Sequence, residues 1–229
     1  MKHILTDFAN LFYPPLCLLC ENPLIENERH ICLNCLYNLP KTNYHTNRKN
    51  PARALFDGFP QVDETSAFLF FEKDGITQKL IHSFKYYDNK ALAEYLGRIA
   101  ALELKEYGFY ASIDTIIPVP LHHKKEKKRG YNQAEHIANG IASVYGCNVD
   151  RNSIVRVLKT KSQTRKSVYE RRMNVEKIFR LTNTENLSGK RILLIDDVIT
   201  TGSTISSCIE TLSEVPGIKI SIFSISIAR

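Results

Sequence analysis

The 229-residue chain has no apolar run near the ~18 residues that a membrane-crossing helix needs. Its first fifteen residues, MKHILTDFANLFYPP, hold too short an apolar stretch, broken by Asp7, to read as a secretory leader, so the protein is expected to be cytoplasmic. No GxxxxGK[ST] phosphate loop occurs, which excludes a P-loop nucleoside triphosphatase, and no GxGxxG dinucleotide fingerprint is present. Internal repeats and low-complexity tracts are absent as well. What remains is 43% apolar and 24% charged, the balance of a folded globular protein. That length supports one ordinary domain with a small appendage and a core large enough to stand without disulfides.

Cysteine is scarce except at the start. Cys17, Cys20, Cys32 and Cys35 form two CxxC pairs, while Cys147 and Cys208 stand alone among small and apolar residues and are expected to be packing residues. Without an export leader, clustered cysteines point to a metal more than to disulfides. Each CxxC turn presents two thiolates, and two turns complete a tetrahedral four-sulfur site. The spacing is close to that of a zinc ribbon, and the intervening NPLIENERHI suits a small hairpin. Four thiolates leave no open position, so the zinc is expected to be structural, and His30 is superfluous as a ligand.

The net charge of +7 is unevenly placed. Residues 122–131 carry five Lys/Arg against one Glu, and residues 156–180 carry nine against two, so the rest of the chain is acidic by four. Such concentration suits polyanionic partners, whether the phosphates of a nucleotide-sized ligand or nucleic acid. A solvated basic surface is the plainer reading of any one charge run, Lys124 and Lys125 in particular.

Residues 1–45 read as a metal-binding module with an N-terminal amphipathic helix, 46–65 as a polar linker, and 66–229 as the main domain. There, strands alternate with helices: SAFLFF, then helical patterns over 75–84 and 89–107, IDTIIPVP, a helix over NQAEHIANGIASVYG, SIVRVL, KRILLID, a helix over GSTISSCIETLSE, and IKISIFSIS. This alternation predicts an α/β fold, a mostly parallel sheet flanked by helices. In such sheets ligands bind at the carboxyl ends of strands, and both basic segments and the DDVITTGST segment follow predicted strands.

In ILLIDDVITTGST, residues 192–204, an apolar strand runs into Asp196 and Asp197. Adjacent carboxylates repel, but a turn at the strand end would let each accept a hydrogen bond from one hydroxyl of a cis-diol. The next residues, Thr200, Thr201, Gly202, Ser203 and Thr204, lead into a helix whose first amides form an anion site, with Gly202 permitting close backbone approach. A sugar carrying a phosphate fits both halves. Arg129, in the first basic segment, is the candidate grip on further phosphate because a guanidinium binds phosphate in bidentate fashion, with Lys128 assisting.

ILLIDDVITTGST resembles the PRPP-binding motif of type I phosphoribosyltransferases. That resemblance implies that Asp196 and Asp197 hold the ribose hydroxyls of 5-phosphoribosyl-1-pyrophosphate (PRPP), that residues 200–204 take its 5′-phosphate, and that Mg²⁺ accompanies it. It also implies a loop covering the pyrophosphate, for which Arg171 and Arg172 are the candidate catalytic residues. The paired CxxC, PVPLH…RGYNQA, QT…ERRMNV…F and ILLIDDVITTGST, in that order, resemble the ComF (GntX-like) family, which joins a cysteine module to a phosphoribosyltransferase domain. Where family members often have arginines after PLH, this chain has Lys124 and Lys125.

The ComF resemblance implies a role in natural competence, with single-stranded DNA and competence helicase machinery as partners. The alternative is a phosphoribosyltransferase, amidophosphoribosyltransferase-like, in nucleotide metabolism without a DNA role. Tyr131 beside Lys128 and Arg129 reads as a surface on which bases could stack.

Overall fold

The computed structural model describes residues 13–157 and 177–229. Five strands form one sheet in which every pairing is parallel: β1 (Val62–Phe71), β2 (Thr115–Pro118), β3 (Asn148–Val149), β6 (Arg191–Ile199) and β7 (Lys219–Ala228). Their order across the sheet is β1-β7-β6-β2-β3. Strand alternation divides the core between two layers. Leu193 and Ile195 of β6 and Phe223 and Ile225 of β7 join one cluster, whereas Ile192 and Leu194 and their neighbours Ile220 and Ile222 join the other.

The first layer is covered by α3 (Ile76–Tyr86), α4 (Lys90–Glu106) and α6 (Gln133–Tyr145), the second by α7 (Ser203–Leu212). The cysteine module, with the short helix α1 (Leu33–Tyr37), joins the first layer through Cys17, Ile31, Cys32 and Leu39. The polar stretch after it is tied down on the other side. There α2 (Pro51–Ala54) buries Ala52, the following Phe56 is also buried, and the Asn50 amide donates to the Thr65 carbonyl of β1 at 2.8 Å.

Helices α4 and α6 touch backbone to backbone. A Cβ at Gly140 would overlap the Glu94 carbonyl oxygen, and one at Gly97 would overlap that of Ile137. In an isolated helix Gly→Ala gains about 1 kcal/mol. Here the sign reverses, since the intruding methyl meets main chain that cannot rotate away. Gly140→Ala is expected to destabilise the protein by about 1–3 kcal/mol, read as a lower urea midpoint, with Gly58→Ala as a control in open space.

Two differences from the sequence reading concern the middle of the chain. SIVRVL does contribute a strand, β4 (Ile154–Arg156), but it pairs antiparallel with β5 (Phe179–Leu181) in a separate two-stranded sheet. The segment after it therefore does not follow a strand of the main sheet. The fifth parallel strand is instead β3, two residues after the left-handed turn at Gly146. The first basic segment is also more ordered than a loop, since it contains the short helix α5 (His123–Arg129). Among the described residues no helix is long and apolar enough to cross a membrane.

Candidate functional site

From β2 the chain continues to β3 on one side of the sheet, and from β6 it continues to β7 on the other. β2 and β6 are neighbours. Their carboxyl ends are thus the topological switch point, where an open parallel sheet leaves a crevice. A cavity of about 380 Å³ lies there, lined among others by Asp196, Asp197, Thr200, Thr204, Arg129 and Lys85. That is at the small end of the range for small-molecule sites.

Asp196 and Asp197 do not follow the strand end. They lie inside β6, which runs on to Ile199, so no turn brings them together. Alternation sends them to opposite faces. Asp197 follows Leu193 and Ile195 to the first layer, where Lys85 of α3 meets it with Nζ 2.8 Å from Oδ2, the two side chains 16% and 15% exposed. Asp196 follows Ile192 and Leu194 to the second layer, near Cys208 of α7 and Arg156 of β4. Its Oδ1 accepts a hydrogen bond from the Asp197 amide at 2.8 Å. Burial, and next the charge of Asp197, push the Asp196 carboxyl up to about 7, against the pull of that amide, Lys85 and Arg156. Both acids still reach the one cavity.

Beyond β6, Gly202 takes a left-handed φ of 74° as the N-cap of α7 and lends it no side-chain cap. A Cβ there would press on the Phe56 ring at 3.2 Å. The Ser203 amide in the first turn of α7 donates to Thr201 Oγ1 at 3.5 Å, and a helix start of this kind, beside the hydroxyls of Thr200, Thr201, Ser203 and Thr204, has the chemistry of an anion site. The Thr201 and Ser203 hydroxyls lie 3.2 Å apart.

Facing β6, the RGYNQ turn is fixed to its surroundings. Asn132 caps α6 by accepting from the Ala134 amide at 3.1 Å and donates to the Val119 carbonyl at 3.1 Å. The Tyr131 hydroxyl donates to the Phe84 carbonyl, locking the turn to the end of α3 beside Lys85. Arg129 donates to Gln133 Oε1 at 2.9 Å. Its guanidinium carbon lies over the Tyr86 ring, 5.8 Å from the centroid.

A model of the phosphoribosyl transferase domain matches residues 84–224, from the last turn of α3 into β7. The chain belongs to that family. Its fold is the type I phosphoribosyltransferase fold, a parallel sheet flanked by helices, as the sequence implied. Curated relatives include the DNA utilization protein YhgH of Escherichia coli O157:H7, 27% identical over 217 residues that cover 88% of this chain and 92% of the relative. Competence protein F of Haemophilus influenzae is 33% identical over 131 residues, 56% of this chain and 57% of its own. Competence protein ComFC of Bacillus subtilis is 34% identical over 102 residues, 43% and 38% of the two chains. The resemblance to the ComF family drawn from the four motifs is borne out by these relatives and the domain match.

Within the phosphoribosyltransferase domain, the structure brings Asp196, Asp197, Thr200, Thr204 and Arg129 to one cavity, with Thr201 and Gly202 in the turn just before α7 and Ser203 as its first residue. Lys128 precedes Arg129 on α5. Arg171 and Arg172 lie outside the described residues, as does the N-terminal amphipathic stretch. Tyr131 is corrected: it is 6% exposed, with Lys90 over its ring and His136 edge-on to it, so it offers no surface to a base.

Sequence reasoning missed Lys85 and Arg156, both on the cavity wall. For Lys85 a signal existed. It stands four residues after Ile81, in phase with the buried stripe of α3, where a cation needs a partner. Arg156 carried no such mark in a segment of nine basic residues.

The four cysteine sulfurs lie within 4.8 Å of one another. Cys20 and Cys32 are 3.7 Å apart, close to the ~3.8 Å edge of a tetrahedron with metal–sulfur bonds of ~2.3 Å. Cys32 caps α1 by accepting from the Cys35 amide at 3.5 Å, and the Cys32 amide donates to Cys17 at 3.3 Å. The intervening segment turns back through paired bridges, with Leu18 donating to the His30 carbonyl at 2.9 Å. The His30 ring packs on Tyr95 of α4 instead of entering the cluster. These donors fit a metal ion. Of the lone cysteines, Cys208 is fully buried in the second layer and Cys147 is half-buried against the first.

Proposed function

We propose that the cavity binds PRPP together with Mg²⁺, and that the protein takes part in competence-related handling of single-stranded DNA. The observation that carries the first half is the convergence of Asp196, Asp197, the α7 N-terminus and Arg129 on one cavity at the switch point. In this reading the carboxylates accept from the 2′- and 3′-hydroxyls, one from each side of β6. The loop 200–204 takes the 5′-phosphate. Arg129 and Lys128 meet the pyrophosphate, and Arg171 and Arg172 belong to the segment that covers it. Mg²⁺ supplies the positive charge that lets a pyrophosphate rest near two acids.

The DNA role is supported by relatives named for DNA utilization and for competence. Those names favour it over a metabolic transferase without a DNA role. Zinc is the metal proposed for Cys17, Cys20, Cys32 and Cys35, as a structural ion in a module over 1–45; the stretch 46–65, read from the sequence as a linker to a unit over 66–229, packs onto that unit through Ala52 and Phe56 and supplies the first residues of β1.

Isothermal titration of the full, metal-loaded chain with PRPP is expected to show saturable binding that requires Mg²⁺. A folded sample that takes up no PRPP in the presence of Mg²⁺ overturns the reading.

A further inference from the structure

A second cavity, of about 390 Å³, opens at the other end of the sheet, where β1, β6 and β7 begin. Arg191, on its wall, starts β6 five residues before Asp196, which sets the two cavities roughly 17 Å apart along that strand. The sugar-phosphate reading gives this second space no task. Its wall between α4 and β2 is firmly held. Tyr110 is buried, its hydroxyl donates to the Ile222 carbonyl at 2.6 Å, and its amide donates to Glu64 at 2.9 Å. The other Glu64 oxygen meets Arg48 at 3.0 Å. That acid is spent on holding the wall and aiming Arg48.

Three groups around it are not spent. Ser221 of β7 is only 5% exposed and lines the cavity, yet its hydroxyl has no hydrogen-bond partner among the described residues. A buried hydroxyl costs free energy until a partner fills its bond. Asp63 is the second. The cations paired with it, Arg191 and Lys219, stand at 3.7 and 3.8 Å, beyond hydrogen-bonding reach. The third is the Arg191 guanidinium, whose N–H groups make one hydrogen bond among the described residues, to the Ser112 hydroxyl at 3.2 Å.

Charge decides what fits. Arg48 and Arg191 line the space together with Asp63 and Glu64, so both signs are present in equal number. A phosphate or a dicarboxylate would gain from the arginines and lose to the acids. A molecule with one charge of each sign, a short distance apart, satisfies both. We infer that this cavity binds a small zwitterion of the α-amino-acid class, its carboxylate on Arg191 and Arg48 with the Ser221 hydroxyl as a further donor, and its ammonium on Asp63. The site is separate from the PRPP cavity and stands whether or not that cavity takes PRPP.

The test follows thermal unfolding of the full, metal-loaded chain with each of the twenty protein amino acids. Propionate, n-butylamine and inorganic phosphate serve as controls that carry one sign of charge. At least one amino acid is expected to raise Tm by roughly 2–4 °C at about five times its Kd, and the controls are expected to leave Tm in place. Asp63→Asn and Arg191→Gln should each raise that Kd roughly 10- to 100-fold. Ser221→Ala should raise it roughly 2- to 10-fold without lowering the Tm of the free protein, since the hydroxyl it removes makes no bond there. That last variant keeps the test decisive if a charge substitution fails to fold. No response to any amino acid overturns the site. A response that phosphate or propionate reproduces also overturns it, because that marks an anion site only. So does a response that survives all three substitutions, which places the zwitterion elsewhere.

Discussion

Asp196→Asn and Asp197→Asn are each expected to weaken PRPP binding, yet to move stability in opposite directions. A charge-assisted hydrogen bond contributes about 1.5–3 kcal/mol, so each substitution is expected to raise Kd roughly 10- to 100-fold, and the pair together at least about 100-fold. The stability of the free protein separates them. The Asp196 carboxyl is pushed up to about 7, by burial first and by Asp197 second, so the folded state holds its proton more tightly than the unfolded chain. The stability this supplies is complete below about pH 4 and is lost as the pH rises through 7. At pH 8 the free protein carries an expensive buried charge, which asparagine removes. Asp196→Asn should therefore stabilise by roughly 2–4 kcal/mol at pH 8, a gain that fades towards pH 4.

Asp197→Asn instead strands Lys85, whose Nζ lies 2.8 Å from the lost oxygen, at a cost of about 1–3 kcal/mol. Adding Lys85→Met should recover part of that loss. Urea denaturation at both pH values reads the stabilities and calorimetric titration reads the affinities. Unchanged PRPP affinity in Asp196→Asn would refute the assignment of that residue, and an equal stability gain at pH 4 and pH 8 would refute the buried-charge explanation.

Removal of the metal from the four-cysteine centre is expected to be felt well beyond the module. Cys17, Ile31, Cys32 and Leu39 belong to the same hydrophobic cluster as α3, α4 and α6, and His30 packs on Tyr95 of α4. Four sulfurs within 4.8 Å need a cation to offset their repulsion once ionised. Structural zinc contributes about 10–16 kcal/mol to small finger peptides. In this chain much of the layer survives on its own packing, so the expected loss is smaller, at least about 3 kcal/mol or roughly 6–12 °C in Tm. Calorimetric scans before and after chelation should show it, with one zinc per chain by elemental analysis beforehand and the same loss in Cys32→Ser. Metal-free protein that melts at the original temperature would remove the structural role.

Much of this was readable in the amino-acid order because the relevant physics is local. The alternation of apolar strands with amphipathic helices fixes a parallel sheet. The run ILLIDDVITTGST announces both the acids and the glycine-started helix after them, since a strand followed by a glycine at a helix start is a contiguous device. What stayed hidden depends on distant partners. SIVRVL has the same look whether it joins the main sheet or pairs with Phe179–Leu181, and only the second is realised. Tyr131, set among lysines, gave no local sign of burial. Its place is decided by a carbonyl 47 residues earlier. Lys85 was legible as an oddity of phase, but its partner Asp197 lies 112 residues further along the chain.

Because Asp196 and Asp197 emerge on opposite sides of β6 yet line one cavity, whatever grasps both becomes a clamp over the end of the sheet. Amide protons in α3 and in α7 should then slow their hydrogen exchange together on occupancy, although a whole layer of strands separates the two helices.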